Sequence, residues 1–229
     1  MTYGSSPAVA AVVAALVGAL AGVLTHRVNG FFIALEEDAT EPPLPGERYW
    51  APVLDAGLLG WLFYGHGFTA YSVAAALVII LLVQVVVFDA RHRLILNRVM
   101  YPAALLALLV SPLSPILVGT WQARILAAVG GALVAGALFF MLSVITRGGV
   151  GMGDAKLAFF MGAVLGGLPL PVPPILEALL WGMIGGGVIA GLLLLTRIRK
   201  MTDFIAYGPF LCGGGILELI LRGYPVPIT

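Results

Sequence analysis

Residues 71–88 read YSVAAALVIILLVQVVVF, an uncharged and almost wholly apolar run that ends directly before Asp89. An α-helix needs about 20 such residues to cross the roughly 30 Å hydrocarbon core of a bilayer. The rest of the chain is similar: of its 229 residues, 61% are hydrophobic and only 10% are charged, against roughly a quarter in soluble domains. The sequence therefore predicts an all-α protein that is embedded in a membrane.

Eight runs are candidate transmembrane helices. Five are long and uncharged, namely residues 7–25, 71–88, 99–119, 125–146 and 178–196. Three are weaker: residues 52–64 carry Asp55, residues 157–168 are short, and residues 207–221 carry Glu218. The first run is expected to be a retained helix rather than a signal peptide, because no basic residue precedes it.

The distribution of basic residues supports a count of eight spans. With eight, four predicted loops lie on one side of the membrane, at residues 25–51, 89–98, 147–156 and 197–206. They contain ten of the 12 Lys and Arg residues and leave Arg124 and Arg222 for the other side. Since basic loops stay in the cytoplasm, we expect one domain (1–229) in the cytoplasmic (inner) membrane, with a cytoplasmic loop at 26–50 and a functional helical core at 52–229.

Several kinds of site are disfavoured by composition. A single cysteine, Cys212, leaves no internal disulfide and no cysteine-based zinc cluster. The three histidines do not have metal-ligand spacing, so we expect no metal site. The net charge of +1 gives no reason to expect nucleic-acid binding, whereas membrane lipid is an expected partner.

Carboxylates at membrane depth are costly and are therefore functional candidates. Four qualify: Asp55, Asp89, Asp154 and Glu218. Eight spans place Asp89 and Asp154 at the cytoplasmic boundary. A structural role stays open for each, because Asp154 could cap a helix and Asp89 could pair with a nearby arginine. Asp55 is expected to begin a short helix, and Glu218 to lie at the membrane interface.

Two carboxylates that meet can hydrolyse a peptide bond without a metal or a nucleophilic side chain. Two carboxyl groups at close range cannot both ionise, because their negative charges would repel each other, so the pair shares a proton. The ionised member is then a general base toward water, and the protonated member is a general acid toward the scissile carbonyl oxygen. Gly151 and Gly153, which lack a Cβ, would allow unusual backbone angles and close approach of a substrate beside Asp154.

Residues 151–157 around Asp154 read GMGDAKL. This stretch resembles the G-x-G-D-x-K-L motif of the prepilin peptidases, the membrane aspartyl proteases of type IV pilus and type II secretion systems, and has every defined position of that motif. Gly151, Gly153 and Lys156 would then be supporting residues of the motif. A G-x-G-D stretch alone is a weak signal, so the other blocks of the family matter.

Three further blocks extend this resemblance over nearly the whole chain. Asp89 and the basic residues after it resemble the family's first-aspartate block, although Leu96 replaces a proline. YGPFL at 207–211 resembles F-G-P-F-L before the last helix, and the His-Arg pair at 26–27 resembles H-R-L-P. The order of these blocks also agrees with an eight-helix fold.

The resemblance implies that Asp89 and Asp154 form the catalytic dyad of an aspartic endopeptidase. Its substrates would be prepilin or pseudopilin precursors, cut at the cytoplasmic face after the glycine that ends the basic leader. Many members also bind zinc through two C-x-x-C pairs in the first cytoplasmic loop and methylate the new N-terminus. That loop contains no cysteine here, so no zinc is expected, and S-adenosylmethionine is expected only if methylation is retained.

Two alternatives stay open at the level of sequence. A related G-x-G-D protease could act on a preflagellin-like or signal-peptide-peptidase-like substrate. A small multi-pass transporter or assembly subunit could use the membrane carboxylates for protons or cations. The transporter alternative predicts paired carboxylates near the bilayer midplane, whereas Asp89 and Asp154 are predicted at its boundary.

Overall fold

A computed structural model describes six ranges of the chain, residues 6–33, 46–92, 95–146, 151–167, 173–196 and 207–222. These residues form helices and no strands, so the all-α prediction is confirmed. In chain order the α-helices are α1 (Pro7–Ile33), α2 (Glu47–His66), α3 (Ala70–His92), α4 (Asn97–Val110), α5 (Trp121–Ile145), α6 (Met152–Leu165), α7 (Pro174–Leu195) and α8 (Gly208–Leu221). A short 3₁₀ helix, Ser111–Leu113, follows α4.

Three of the described helices are long and apolar enough to cross a membrane, over Pro7–Phe31, Ala70–His92 and Trp121–Ile145. Three shorter apolar helices cover Asn97–Leu113, Pro174–Ile189 and Gly208–Leu221. This pattern supports an integral membrane protein. The count of eight transmembrane helices stays a prediction, because the remaining helices do not reach the length and hydropathy of a span.

The predicted span at residues 99–119 is wrong in extent, because α4 ends at Val110. Pro112 lies in the 3₁₀ helix that follows. Proline has no N–H to continue the hydrogen bonding of an α-helix, and its ring clashes with the carbonyl four residues earlier, which favours the end of the α-helix here. The apolar composition continues past Val110, but the α-helix ends there.

The helices around both aspartates extend further than predicted. Helix α3 continues to His92, so Asp89 lies in its last turn and not at the start of a loop. Helix α6 begins at Met152, so Asp154 lies in its first turn. Helices α1 and α2 also include the first and the last residues of the predicted 26–50 loop. The predicted loop at 197–206 lies outside the described residues.

The chain divides into two compact units. Unit 1 comprises Met1–Arg93 and Leu219–Thr229, and unit 2 comprises Leu94–Glu218. The single domain expected for residues 1–229 stays a prediction.

In unit 1, α1 packs along α2, and both contact α3. Gly18 of α1 faces the backbone of α2, where a Cβ would lie 2.6 Å from the carbonyl oxygen of Asp55. The last turn of α8 is also held in this unit: the Tyr71 hydroxyl donates a 2.7 Å hydrogen bond to the Leu219 carbonyl, and His66 Nε2 lies 2.8 Å from the Ile220 carbonyl oxygen.

In unit 2, α5 and α6 pack against each other, with α4 and α7 beside them. Gly131 permits a close approach of the two helices, since a Cβ there would overlap the Gly162 carbonyl oxygen and lie 2.7 Å from the backbone nitrogen of Gly167. Large side chains fill the remaining core, including the fully buried Phe139, Leu157 and Met161. This packing fixes the first turn of α6, which carries the predicted G-x-G-D site.

Candidate active site

Asp154 is held by the residue that opens its own helix. Gly151 stands before α6 in an extended conformation (φ −68°, ψ 145°), and its N–H donates a 3.2 Å hydrogen bond to Asp154 Oδ2. The side chain thereby satisfies a backbone donor that the helix leaves unpaired. An acidic residue in the first turn is also favoured by the helix dipole. Asp154 is therefore a capping residue, but it acts from the third helical position, and Gly151 rather than Asp154 is the N-cap.

The Asp154 carboxyl is buried, with 7% of the residue exposed. Burial raises its pKa from 3.8 to about 6, because the charged form is poorly solvated, while the hydrogen bond from Gly151 acts to lower the pKa. The carboxyl therefore keeps its proton to a higher pH than an exposed aspartate. Such a shift is typical of a general acid that works near neutral pH.

The two motif glycines have ordinary backbone angles, so the expectation of unusual conformations is wrong. Gly151 is extended, and Gly153 lies within α6 without a positive φ. Gly153 is instead needed for space, since a Cβ there would lie 3.0 Å from the Ile95 Cβ. A Cβ on Gly151 would lie 3.4 Å from Asp154 Oδ2, which is ordinary contact. The close neighbour of Gly153 is thus a residue of the protein itself.

Lys156, the last polar residue of the motif, joins α6 to the start of α4. Its Nζ donates a 2.6 Å hydrogen bond to Asn97 Oδ1. The same nitrogen lies 5.3 Å from the centre of the Tyr101 ring, within the range of a cation–π interaction. These contacts assign Lys156 a structural role between two helices.

Tyr207 is a site residue that the sequence did not single out. It stands directly before α8, and its ring packs 6.2 Å from that of Phe139 and 6.3 Å from that of Phe210. The Tyr207 phenol and the Asp154 carboxyl are electrostatic neighbours. The only available signal was the YGPFL block at residues 207–211.

Asp89 lies in unit 1, in the last turn of α3, and is 5% exposed. The same turn carries His92 and Arg91, and the positive charge of Arg91 suits the C-terminal end of a helix. The ring of His92 packs 4.7 Å from that of Phe88. Asp89 and Asp154 belong to different units, and their pairing stays a prediction.

The other two candidate carboxylates are buried as well. Asp55 lies inside α2, which begins at Glu47, so the expectation that Asp55 begins a helix is wrong. It is fully buried, and neither carboxyl oxygen has a hydrogen-bond partner within the described residues. Glu218 of α8 is 4% exposed. Neither residue belongs to the first turn of α6.

Comparison with known proteins gives a consistent set of matches. The sequence model of the type IV leader peptidase family matches residues 75–191, a range that includes Asp89 and Asp154. A prepilin leader peptidase/N-methyltransferase of Pseudomonas aeruginosa is 28% identical over 177 residues, which are 76% of this chain and 59% of that protein. A protein of the same description from Bacillus subtilis is 32% identical over 149 residues, which are 64% of this chain and 54% of that protein.

The chain thus spans little more than half the length of either relative. No solved structure gives a significant match.

Proposed function

Because the chain belongs to the type IV leader peptidase family, we propose that it is a membrane aspartic endopeptidase that removes the leader from prepilin-like precursors. The observation that carries this proposal is the buried Asp154, held by Gly151 in the first turn of α6 within the matched region. Both relatives are described as prepilin leader peptidases, which supports precursors of that type as the substrate class.

In the proposed mechanism, Asp154 is the general acid and Asp89 the general base. Asp89 takes a proton from water as the water oxygen bonds to the scissile carbonyl carbon, and Asp154 gives its proton to the carbonyl oxygen. The tetrahedral intermediate then collapses: the C–N bond breaks, the leaving amine takes the proton held by Asp89, and a hydroxyl group of the intermediate returns a proton to Asp154. The raised pKa of Asp154, about 6, supports its role as the acid.

We place cleavage at the cytoplasmic face of the inner membrane. This orientation rests on the excess of basic residues in the predicted loops that flank the two aspartates. The apolar helix of the precursor would stay in the bilayer while its basic leader reaches the site from the cytoplasm. Methylation of the new N-terminus, which appears in the description of both relatives, would be a second activity that requires S-adenosylmethionine.

Cleavage by the purified full chain in liposomes tests the proposal. Asp154→Asn and Asp89→Asn keep the side-chain shape but cannot exchange the proton, so each variant should lose nearly all processing of a prepilin. Glu177→Gln, a half-buried carboxylate in the first turn of α7, is the matched control and should process normally. Full processing by either aspartate variant would overturn the dyad.

The same experiment separates the remaining alternatives. Labelled S-adenosylmethionine in the reaction reports methylation of the mature N-terminus. A panel with preflagellin-like and signal-peptide-like substrates reports specificity within G-x-G-D proteases. Proton or cation transport by the same liposomes, without cleavage of any precursor, would favour the transporter alternative.

A further inference from the structure

Unit 2 contains an apolar groove between α4, α5 and α6, with a volume of about 440 Å³. Leu105 and Leu108 line it from α4, Phe140 from α5, and Phe159 from α6. Gly136 of α5 also lines the groove and adds no side chain to it. Among the lining residues, Lys156 alone is charged. The groove is therefore lined by apolar side chains and by one cationic side chain.

This groove is distinct from the candidate active site. Helix α6 contributes Met152, Ala155, Lys156 and Phe159, which are spaced i, i+3, i+4 and i+7 and share one face of the helix. Asp154 follows Met152 by two residues, or about 200° around the helix. It belongs with Leu157, Ala158 and Met161 on the buried face. A ligand in the groove would thus lie across α6 from the carboxyl.

Polar groups cluster at the end of the groove where α4 begins. Lys156 Nζ is bonded to Asn97 Oδ1 and lies over the Tyr101 ring. Arg98, the next residue of α4, is exposed. Lysine, arginine and tyrosine at the end of an apolar helix are typical of the membrane–water interface. From this end the lining continues to Leu108 with apolar side chains.

The charge at one end of the groove favours one of two possible occupants, an acyl chain or a helix of the substrate. From Tyr101 to Leu108 the groove follows seven residues of helix, a length of about 10 Å. A helix with its side chains is about 10 Å across, whereas a single acyl chain is much thinner. The charge at the interfacial end complements an anionic headgroup.

We propose that this groove binds an anionic phospholipid, with one acyl chain between α4, α5 and α6 and the headgroup phosphate at Lys156 and Arg98. The contact between Lys156 and Tyr101 holds the ammonium group at the mouth of the groove. A phosphate there gains charge-assisted hydrogen bonds. The lipid would brace α6 against α4 on the face opposite Asp154. This proposal does not depend on the peptidase assignment.

Native mass spectrometry of the purified full chain tests the proposal. Phosphatidylglycerol and phosphatidylcholine with identical chains are added in detergent, and one phosphatidylglycerol should be retained in preference. Lys156→Gln should reduce that preference about fivefold, the effect of one interfacial cation, and leave phosphatidylcholine unaffected. Equal retention of both lipids by the unmodified protein would overturn the headgroup assignment.

Two neighbouring leucines of α4 provide a matched pair for the acyl chain. Leu105 and Leu106 are 59% and 60% exposed, but only Leu105 lines the groove. Leu105→Trp should fill the groove and abolish retention, whereas Leu106→Trp should retain the lipid as the unmodified protein does. Equal retention by the two variants would overturn the groove as the binding site. Thermal unfolding of both variants reports whether each is folded.

A photoreactive lipid gives a second measurement that needs no substitution. Phosphatidylglycerol with a diazirine on one acyl chain should crosslink to Leu105 or Phe140 and not to Leu106. Crosslinks spread evenly over the exposed face of α4 would overturn the proposal. Displacement of the lipid by a prepilin helix peptide, but not by inorganic phosphate, would assign the groove to the substrate and also overturn it.

Discussion

The backbone N–H of Gly151 donates a hydrogen bond of 3.2 Å to Asp154 Oδ2, so the residue that opens α6 also fixes the carboxyl in its first turn. The spacing of three residues is what brings a side chain back to the start of a helix. One oxygen of the proposed acid is therefore oriented by backbone, and the same bond opposes the rise in pKa that burial causes.

Asp154→Asn should change how stability depends on pH. The folded-state pKa, about 6, exceeds the ordinary 3.8, so between these values the folded protein binds more protons than the unfolded one. Its stability therefore falls as pH rises through this window. The gap corresponds to about 3 kcal/mol. The Asn variant does not titrate, so its stability relative to the unmodified protein should rise by up to about 3 kcal/mol between pH 4 and 7.

Unfolding in detergent at several pH values measures this difference. Glu177→Gln is the matched control for the removal of a carboxylate from the first turn of a helix. A difference between Asp154→Asn and the unmodified protein that stays constant from pH 4 to 7 would contradict the raised pKa.

The two motif glycines should differ in their tolerance of alanine. Gly153→Ala places a Cβ 3.0 Å from that of Ile95, so one of the two segments must move. Crowding of this kind costs about 1–3 kcal/mol, and we expect cleavage to fall at least tenfold because the first turn of α6 shifts. Gly151→Ala meets only ordinary contact with Asp154 and should keep most activity. Cleavage assays compare the two, and a greater loss in Gly151→Ala would contradict this interpretation.

Gly18 and Gly30 of α1 form a second matched pair. A Cβ on Gly18 would lie 2.6 Å from the Asp55 carbonyl oxygen, whereas one on Gly30 would have no neighbour within 4 Å. Gly18→Ala should therefore separate α1 from α2 and destabilise the protein by about 1–3 kcal/mol. Gly30→Ala should be neutral or should stabilise by up to about 1 kcal/mol, because alanine favours helix. Thermal unfolding measures both, and equal effects would argue against tight packing of α1 on α2.

Asp55→Asn should stabilise unit 1. The carboxyl is fully buried and has no hydrogen-bond partner among the described residues. An unpaired charge costs more in such a site than an unpaired amide, so we expect a gain of about 1 kcal/mol or more in the free energy of unfolding. The measurement is the free energy of unfolding at pH 8, a pH at which an exposed aspartate is ionised. A less stable variant would show that the carboxylate has a stabilising partner.

The predictable part of the fold came from local pattern. Long apolar runs gave the helices α1, α3 and α5, because a backbone in lipid must satisfy its own hydrogen bonds. Pro112 ended α4 inside an apolar stretch, which hydropathy alone does not report. The ends of α3 and α6 were also misplaced, because Asp89 and Asp154 are polar residues that the helices nonetheless include.

The sequence by itself determined the helical class, the membrane character and the G-x-G-D motif that leads to the family. Even the bond between Gly151 and Asp154 is local, since it spans three residues. Only the tertiary structure decided that Ile95 occupies the space at Gly153. It also decided that Asp55 is fully buried, at the point of α2 where Gly18 of α1 packs closely against the backbone. The physical reason is that burial and steric space depend on segments far apart in the chain, and no pattern within one helix reports which neighbour will cover it.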